Sequence, residues 1–324
     1  MSGLIADIGG TNARFALIDD DGETGSEEVL ACRDYPTLVD ACQAYLRRIE
    51  VRRRPRRAAF AVASPIAADR VQMTNHVWSF SIEETRRFLG LDHLQVINDF
   101  LAIALAIPHL SVDDVVKVGS GTPVGDAPIL AIGPGTGLGM ASLVPMPGGG
   151  WIPLAGEGGH VTMAPAEDME TAVISLMRKR IGHVSAERLI SGPGLVNLYR
   201  ALAELGGKEP DPEITPPLCS ARALDGSCEI SGKALAMMCA MLGTIAANAA
   251  LTLGARGGVY IAGGIVPSLG PAFAESRFRA RFEDKGRFDA YLADVPTYVI
   301  HRPLPALLGL ASLVTGTVAP PGPR

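Results

Sequence analysis

The feature that most limits what this chain can become is a pair of glycine–threonine turns, each set between two apolar runs. The first, Asp7-Ile8-Gly9-Gly10-Thr11-Asn12, follows Leu4-Ile5-Ala6 and precedes Ala13 to Ile18. The second, Gly133-Pro134-Gly135-Thr136-Gly137-Leu138-Gly139, lies between Ile129 to Ile132 and Met140 to Val144. Both read as strand, tight turn, strand. Turns of this kind expose backbone N–H groups with no Cβ in the way, and the threonine adds a hydroxyl donor, so an oxyanion can approach closely. Two of them in one chain point to a clamp on a polyphosphate. Neither is a dinucleotide fingerprint, which needs a helix after the turn, and neither ends in Gly-Lys-Ser/Thr, so a nicotinamide cofactor and a P-loop are both disfavoured.

A chain of 324 residues with 48% apolar residues has material for about two domains with buried cores. The net charge of −5 disfavours a generally nucleic-acid-binding surface. One basic run, Arg47-Arg48 through Arg52-Arg53-Arg54-Pro55-Arg56-Arg57, has no interleaved aromatic residues and reads as a solvated face. The five cysteines, Cys32, Cys42, Cys219, Cys228 and Cys239, contain no pair at zinc or redox spacing, which favours reduced thiols in the cytoplasm. The N-terminus lacks a signal-peptide pattern, and the longest apolar stretch, Ala234 to Leu253, carries Gly243 and Asn248 and reads as a buried helix, so no membrane association is expected.

Along the chain, strand and helix signals alternate, giving an α/β class with two lobes. After the first hairpin, Tyr35 to Ile49 reads as an amphipathic helix, Ala58 to Ala63 as a buried strand and Val71 to Trp78 as an extended segment. Ser81-Ile82-Glu83-Glu84 has capping-box spacing for a helix through Leu89. Leu94 to Ile97 is a strand ending at Asn98-Asp99, and a helix from Phe100 to Ile107 follows and stops at Pro108. A second region starts near Leu110 and echoes the first with its own glycine hairpin. Helices are predicted over 169–181, 194–205 and 231–253, a surface loop over 206–217, and strands over 259–265 and 297–300, the first of these running into a third glycine turn at Gly263-Gly264. An apolar helix over 306–314 is placed to return onto the first half, so the predicted domains are 1–109 plus 302–324, and 110–301.

Asp7 stands at the mouth of the first turn, where its carboxylate suits a hydrated Mg²⁺ held against phosphates; the alternative is a cap on its own turn. Phosphoryl transfer to an alcohol needs a carboxylate beside the acceptor oxygen, and Asp99, at a strand-to-helix junction, fits that role as well as a plain helix cap. Asn98 beside it offers a donor and an acceptor. Glu157 and His160, within Gly156-Glu157-Gly158-Gly159-His160, and Glu187 complete a polar set that matches a polyol better than an anion. A surface ion pair with Arg188 is the competing use of Glu187. Zinc at His160 is not expected, because no His or Cys lies at ligand spacing.

These residues together resemble the bacterial glucokinase family, in its enterobacterial-type branch of the hexokinase and actin-like ATPase superfamily. The resemblance covers nearly the whole chain. Besides the two hairpins it is carried by Met73-Thr74-Asn75-His76-Val77-Trp78, Ile97-Asn98-Asp99-Phe100, Gly156 to Val161, Gly182 to Arg188, Ser191-Gly192-Pro193-Gly194-Leu195 and Val259 to Pro267. The related repressor-and-kinase (ROK) group is set aside, because no cysteine follows His160 until Cys219 and its zinc motif is absent.

The resemblance implies a two-lobed, ribonuclease H-like fold with mixed sheets flanked by helices and the active site in the cleft. It implies phosphorylation of glucose at the 6-hydroxyl by ATP with Mg²⁺, and commonly a homodimer. Ile8, Gly9, Gly10, Thr11, Asn12, Gly135, Thr136 and Gly137 then face phosphates and Gly263 and Gly264 the adenosine side, with Asp7 near the metal. Asp99 is the general base, and Asn98, Glu157, His160 and Glu187 hold glucose hydroxyls. A non-catalytic sugar sensor, a kinase for another hexose, and an ATPase whose cleft controls assembly are the alternatives. Ser64 has no reading from sequence, and Pro134 stands where other members carry a small residue.

Overall fold

Strand β1 (Gly3–Ile8) turns through Gly9–Thr11 into the antiparallel β2 (Asn12–Ile18), which pairs in turn with β3 (Thr24–Ala31). In this computed structural model, residues 3–19, 22–50, 54–74 and 76–316 are described. They fall into two compact units, Met1–Ser111 with Pro145–Ala155 and Arg302–Arg324, and Val112–Val144 with Gly156–His301.

In the first unit β4 (Arg57–Val62) lies parallel to β1, and β7 (His93–Asn98) parallel to β4, giving the order β3-β2-β1-β4-β7; β5 (Arg70–Gln72) and β6 (Ser79–Ser81) form a separate ribbon. The central strands are apolar on both faces, as a sheet covered on two sides requires. Leu4, Ala6 and Ile8 join Phe15, Phe60 and Tyr45 in one core cluster, with helix Leu38–Arg48 contributing Leu38, Ala41 and Cys42. Helix Pro305–Thr315 lies against β1, β4 and helix Asp99–Ala106. The two helices cross so closely that a Cβ on Gly309 would overlap the Ala102 carbonyl.

The second unit holds β8 (Val115–Val118), β9 (Ile129–Pro134), β10 (Leu138–Pro145), β12 (Gly258–Ile261) and β13 (Thr297–Ile300), which with β11 (Trp151–Gly156) make a sheet of order β11-β10-β9-β12-β13-β8. β9 and β10 form the second glycine hairpin, and β12 runs parallel to both β9 and β13. The two sheets thus repeat one strand order, β3-β2-β1-β4-β7 matching β11-β10-β9-β12-β13, which is the physical form of the echo read from the hairpins. Helix Glu229–Leu253 is the one helix among the described residues long and apolar enough to cross a membrane, and 67% of its apolar window is buried within the protein. Its Met238, Met241, Leu242 and Ile245 lie in the core of this unit. Beside it Arg281, almost fully buried, pairs with Glu170 at 2.8 Å and Glu167 at 2.6 Å, tying helix Phe278–Glu283 to the start of helix Asp168–Ile181.

Most predicted elements appear within a few residues of their expected limits. Ser81 accepts from the Glu84 amide and starts helix Ile82–Leu89, and Thr37 and Asp40 form a capping box at the start of helix Leu38–Arg48. Three readings change. The loop expected over 206–217 ends at Thr215, whose hydroxyl caps helix Pro216–Leu224, with prolines tolerated in the first turn. The extended segment expected over 71–78 is strand only to Gln72. β3 and the short helices Phe278–Glu283 and Asp289–Ala293 carry no clear periodic signal: β3 is a polar edge strand, and helices of five or six residues depend on tertiary packing. Of the basic run, Arg52 and Arg53 lie outside the described residues, as does Asn75; Arg48 and Arg56 pair on the surface with Glu28 and Asp92.

Candidate active site

The parallel strands of the first unit end together. Ile8 of β1 is level with Val62 of β4, and Val62 with Asn98 of β7. The Gly9–Thr11 hairpin, the Ala63-Ser64 turn and the Asn98-Asp99 junction therefore leave the carboxyl edge of one sheet, where open α/β sheets present ligand-binding groups. At about 4.8 Å per strand, the hairpin and the Asn98 junction are separated by about 10 Å along that edge.

The hairpin is closed by the Gly9 amide donating to the Asn12 carbonyl at 3.0 Å, and its outer side is held by the Cys32 amide donating to the Thr11 carbonyl at 2.8 Å. Asp7 does not cap this turn. It sits opposite Arg14 in the β1–β2 register, and the Arg14 guanidinium donates to its Oδ2 at 3.3 Å. Burial nevertheless pushes the Asp7 carboxyl above its usual range, with Arg14 only partly offsetting the loss of hydration.

Asn98 caps helix Asp99–Ala106, its Oδ1 accepting from the Phe100 amide at 2.9 Å and the Leu101 amide at 3.3 Å. The Phe100 amide also donates to Asp99 Oδ1, at 2.8 Å. Asn98, and not Asp99, is thus the helix cap. The first helical residue, Asp99, has its carboxylate at the amino-terminal end of that helix.

In the second unit the Gly135 amide donates to the Gly137 carbonyl at 2.8 Å and closes the second hairpin. Glu187, in a short 3₁₀ turn over Ala186–Arg188, accepts from the Leu138 amide through Oε2 at 2.9 Å. Segments 161–163 and 184–186 run antiparallel, through Ala186 N donating to Val161 O at 2.9 Å and Met163 N donating to Val184 O at 3.0 Å. Gly159 packs on the Leu138 carbonyl so tightly that a Cβ would not fit. Glu157, His160 and Glu187 are thereby brought around Leu138, next to the hairpin, with His160 Nε2 4.0 Å from Glu157 Oε2. Glu157 and His160 are exposed and Glu187 is half-buried. Gly263, with φ of +85°, lies on the Pro134 carbonyl, so the third glycine turn is packed against the strand leading into the second hairpin; Gly264 precedes helix Ile265–Leu269.

Sequence reasoning had no role for Ser64. It is almost fully buried just past β4, donates to the Ala63 carbonyl at 2.8 Å, and accepts from the Thr74 amide at 2.8 Å, anchoring the start of the Met73–Trp78 segment at this edge. No local pattern marks such a residue, because its partner is ten positions away. Among the described residues no group of three or more His, Cys, Asp or Glu side chains is arranged to hold a metal ion by itself.

Two α/β units of repeated strand order, each with a glycine hairpin beside its parallel strands, define a sugar kinase of the actin-like ATPase fold. The glucokinase from an Antarctic psychrotroph superposes with a TM-score of 0.86 at 36% identity, over 97% of this chain and 99% of that one. A ROK family glucokinase from Streptomyces griseus, solved with glucose and AMPPNP, shares the fold with a TM-score of 0.66 at 19% identity, over 98% of this chain and 100% of that one. The glucokinase of Paramagnetospirillum magneticum is 51% identical over 312 residues, 96% of this chain and 97% of that protein. The family model described as Glucokinase matches residues 4–317. The chain belongs to the glucokinase family.

Proposed function

We propose that this protein transfers the terminal phosphoryl group of ATP to the 6-hydroxyl of glucose, giving glucose 6-phosphate and ADP. The observation that carries the reading is the shared row of Ile8, Val62 and Asn98, which sets a phosphate-sized hairpin and a carboxylate-bearing helix start on one sheet edge.

In this reading Asp99 takes the proton of the 6-hydroxyl as the P–O bond forms, and Asn98 bonds a neighbouring hydroxyl. Glu157, His160 and Glu187 bond further hydroxyls, and the amides of Gly10, Thr11, Thr136 and Gly137 bond phosphate oxygens, while the Gly9 and Gly135 amides close the two hairpins that present them. Ile8 and Asn12 frame the first hairpin, and Gly263 and Gly264 line the adenosine side. Asp7 suits Mg²⁺: a single desolvated carboxylate matches an ion that keeps several waters and takes its other ligands from the nucleotide. When bound, that ion would neutralise charge on the phosphates. Five free cysteines agree with a cytoplasmic location, and the family reading implies a homodimer.

The test is ADP release from Mg-ATP with and without glucose, coupled to detection of glucose 6-phosphate over a panel of hexoses and phosphoryl donors. Glucose-dependent turnover in excess of every other hexose supports the reading. Glucose binding without turnover would assign a sensor, and ATP hydrolysis indifferent to sugar would assign an ATPase of another kind.

A further inference from the structure

The second hairpin is not self-supporting. The segment Glu187–Gly192 grips it at two points: the Gly192 amide donates to the Gly135 carbonyl at 2.8 Å, and Glu187 Oε2 accepts from the Leu138 amide at 2.9 Å. That segment is itself locked, with Ser191 Oγ donating to the Glu187 carbonyl at 2.7 Å and accepting from the Gly194 amide at 3.0 Å to cap helix Gly192–Leu205. Gly137 completes the arrangement, since a Cβ there would overlap the Glu187 carboxylate. The carboxylate therefore occupies the place a side chain of the hairpin would otherwise take.

We propose that Glu187 is a positioning residue for the phosphate hairpin as well as a sugar ligand, so that one carboxylate joins the two substrate sites of this unit. The inference rests on the sugar-kinase reading given above. A carboxylate has two oxygens with about four acceptor positions, and the Leu138 amide takes one of them, leaving capacity for hydroxyls. The Leu138 bond holds the end of the hairpin in place. Charge on the acceptor makes such a bond stronger than a neutral one. Whatever shifts the carboxylate shifts the hairpin, and by thermodynamic reciprocity a nucleotide that orders the hairpin also orders Glu187 for the sugar.

The experiment measures AMPPNP affinity in the absence of any sugar, where a pure sugar ligand has no part. Glu187→Ala is expected to weaken AMPPNP binding about three- to tenfold, the loss of one hydrogen bond that orders the loop. Glu187→Gln, whose amide oxygen still accepts from Leu138, is expected to stay within about twofold of wild type while raising the glucose KM. Glu187→Met, of similar length but with no oxygen to accept from Leu138, is expected to lose as much affinity as Glu187→Ala, which separates the hydrogen bond from packing. Wild-type AMPPNP affinity in Glu187→Ala overturns the proposal. If that variant does not fold, Glu187→Asp, one methylene shorter and drawn back from Leu138, serves in its place, with the same loss expected and wild-type affinity again overturning it. The glucose KM separates the two readings: an unchanged KM in Glu187→Gln removes Glu187 from the sugar site without touching its hold on the hairpin.

Discussion

Ile8 and Asn98 stand in one row of the first sheet, both level with Val62 on the strand between them. The register joins the Gly9–Thr11 hairpin to the helix start that carries Asp99. If that carboxylate is the base, Asp99→Asn lowers kcat by about two to four orders of magnitude, because an amide cannot take the proton, while glucose affinity falls only modestly. Steady-state kinetics with the coupled assay, beside direct glucose titration, checks both halves. Turnover near wild type would remove Asp99 from the reaction.

Asp7 is held at a cost to the fold. Its carboxyl titrates above the ordinary value of 3.8 because burial outweighs the help of Arg14, so the native state holds its proton to higher pH than the unfolded chain does. Stability from this group is therefore lost as pH rises from the unfolded pKa through the native one. Asp7→Asn is expected to melt at a higher temperature than wild type at pH 7 without nucleotide, with the gap closing toward pH 4, and to be less active. Melting curves across that range, with activity measured in parallel, test the sign.

Ser64 joins the turn after β4 to the Met73–Trp78 segment. Ser64→Ala removes the acceptor of the part-buried Thr74 bond and should cost about 1 kcal/mol in urea unfolding. The Met73–Trp78 segment, no longer tied to β4, should then be cut first in limited proteolysis; an unchanged digest would separate Ser64 from that segment.

The crossing of helices Asp99–Ala106 and Pro305–Thr315 has no room for a methyl group at Gly309. Gly309→Ala forces the helices apart and is expected to destabilise by about 1–3 kcal/mol despite the better helix propensity of alanine. Because one of these helices begins at Asp99, the same variant should lower kcat more than it raises the ATP KM. Urea unfolding and kinetics on the one variant decide both points.

Thiol chemistry separates the cysteines. Cys228, before helix Glu229–Leu253, is held below the usual thiol range by the Ser231 hydroxyl and by the backbone amides of Ser231 and Ile230. Burial pushes Cys239 up to about 11 and Cys42 further still. Iodoacetamide at pH 8 should label Cys228 first and leave Cys42 and Cys239 intact until the protein is unfolded, as read by peptide mass spectrometry.

The legible parts of this protein are the local ones. The two hairpins follow from glycine pairs between apolar runs, and the helix start at Ser81 follows from a side chain that reaches an amide only three residues away. The polar residues Asn98, Asp99, Glu157 and His160 stand out because each ends or interrupts an apolar or glycine-rich stretch. Such signals depend on neighbours within about one turn of chain, and a sequence displays those neighbours directly.

Tertiary structure alone decided the rest. Strand register sets Ile8 and Asn98 in one row, although 90 positions separate them in the chain, and no residue along the way records that alignment. Glu187 reads as a member of the polyol set or as a surface pair with Arg188, and only folding carries it to Leu138, 49 positions back, where its carboxylate fills the space that Gly137 leaves. Ser64 has no meaning until Thr74 is laid against it. Hydrogen bonds and close approaches between distant segments are selected by how the sheets and helices pack as a whole, so their partners exist only once that packing has formed.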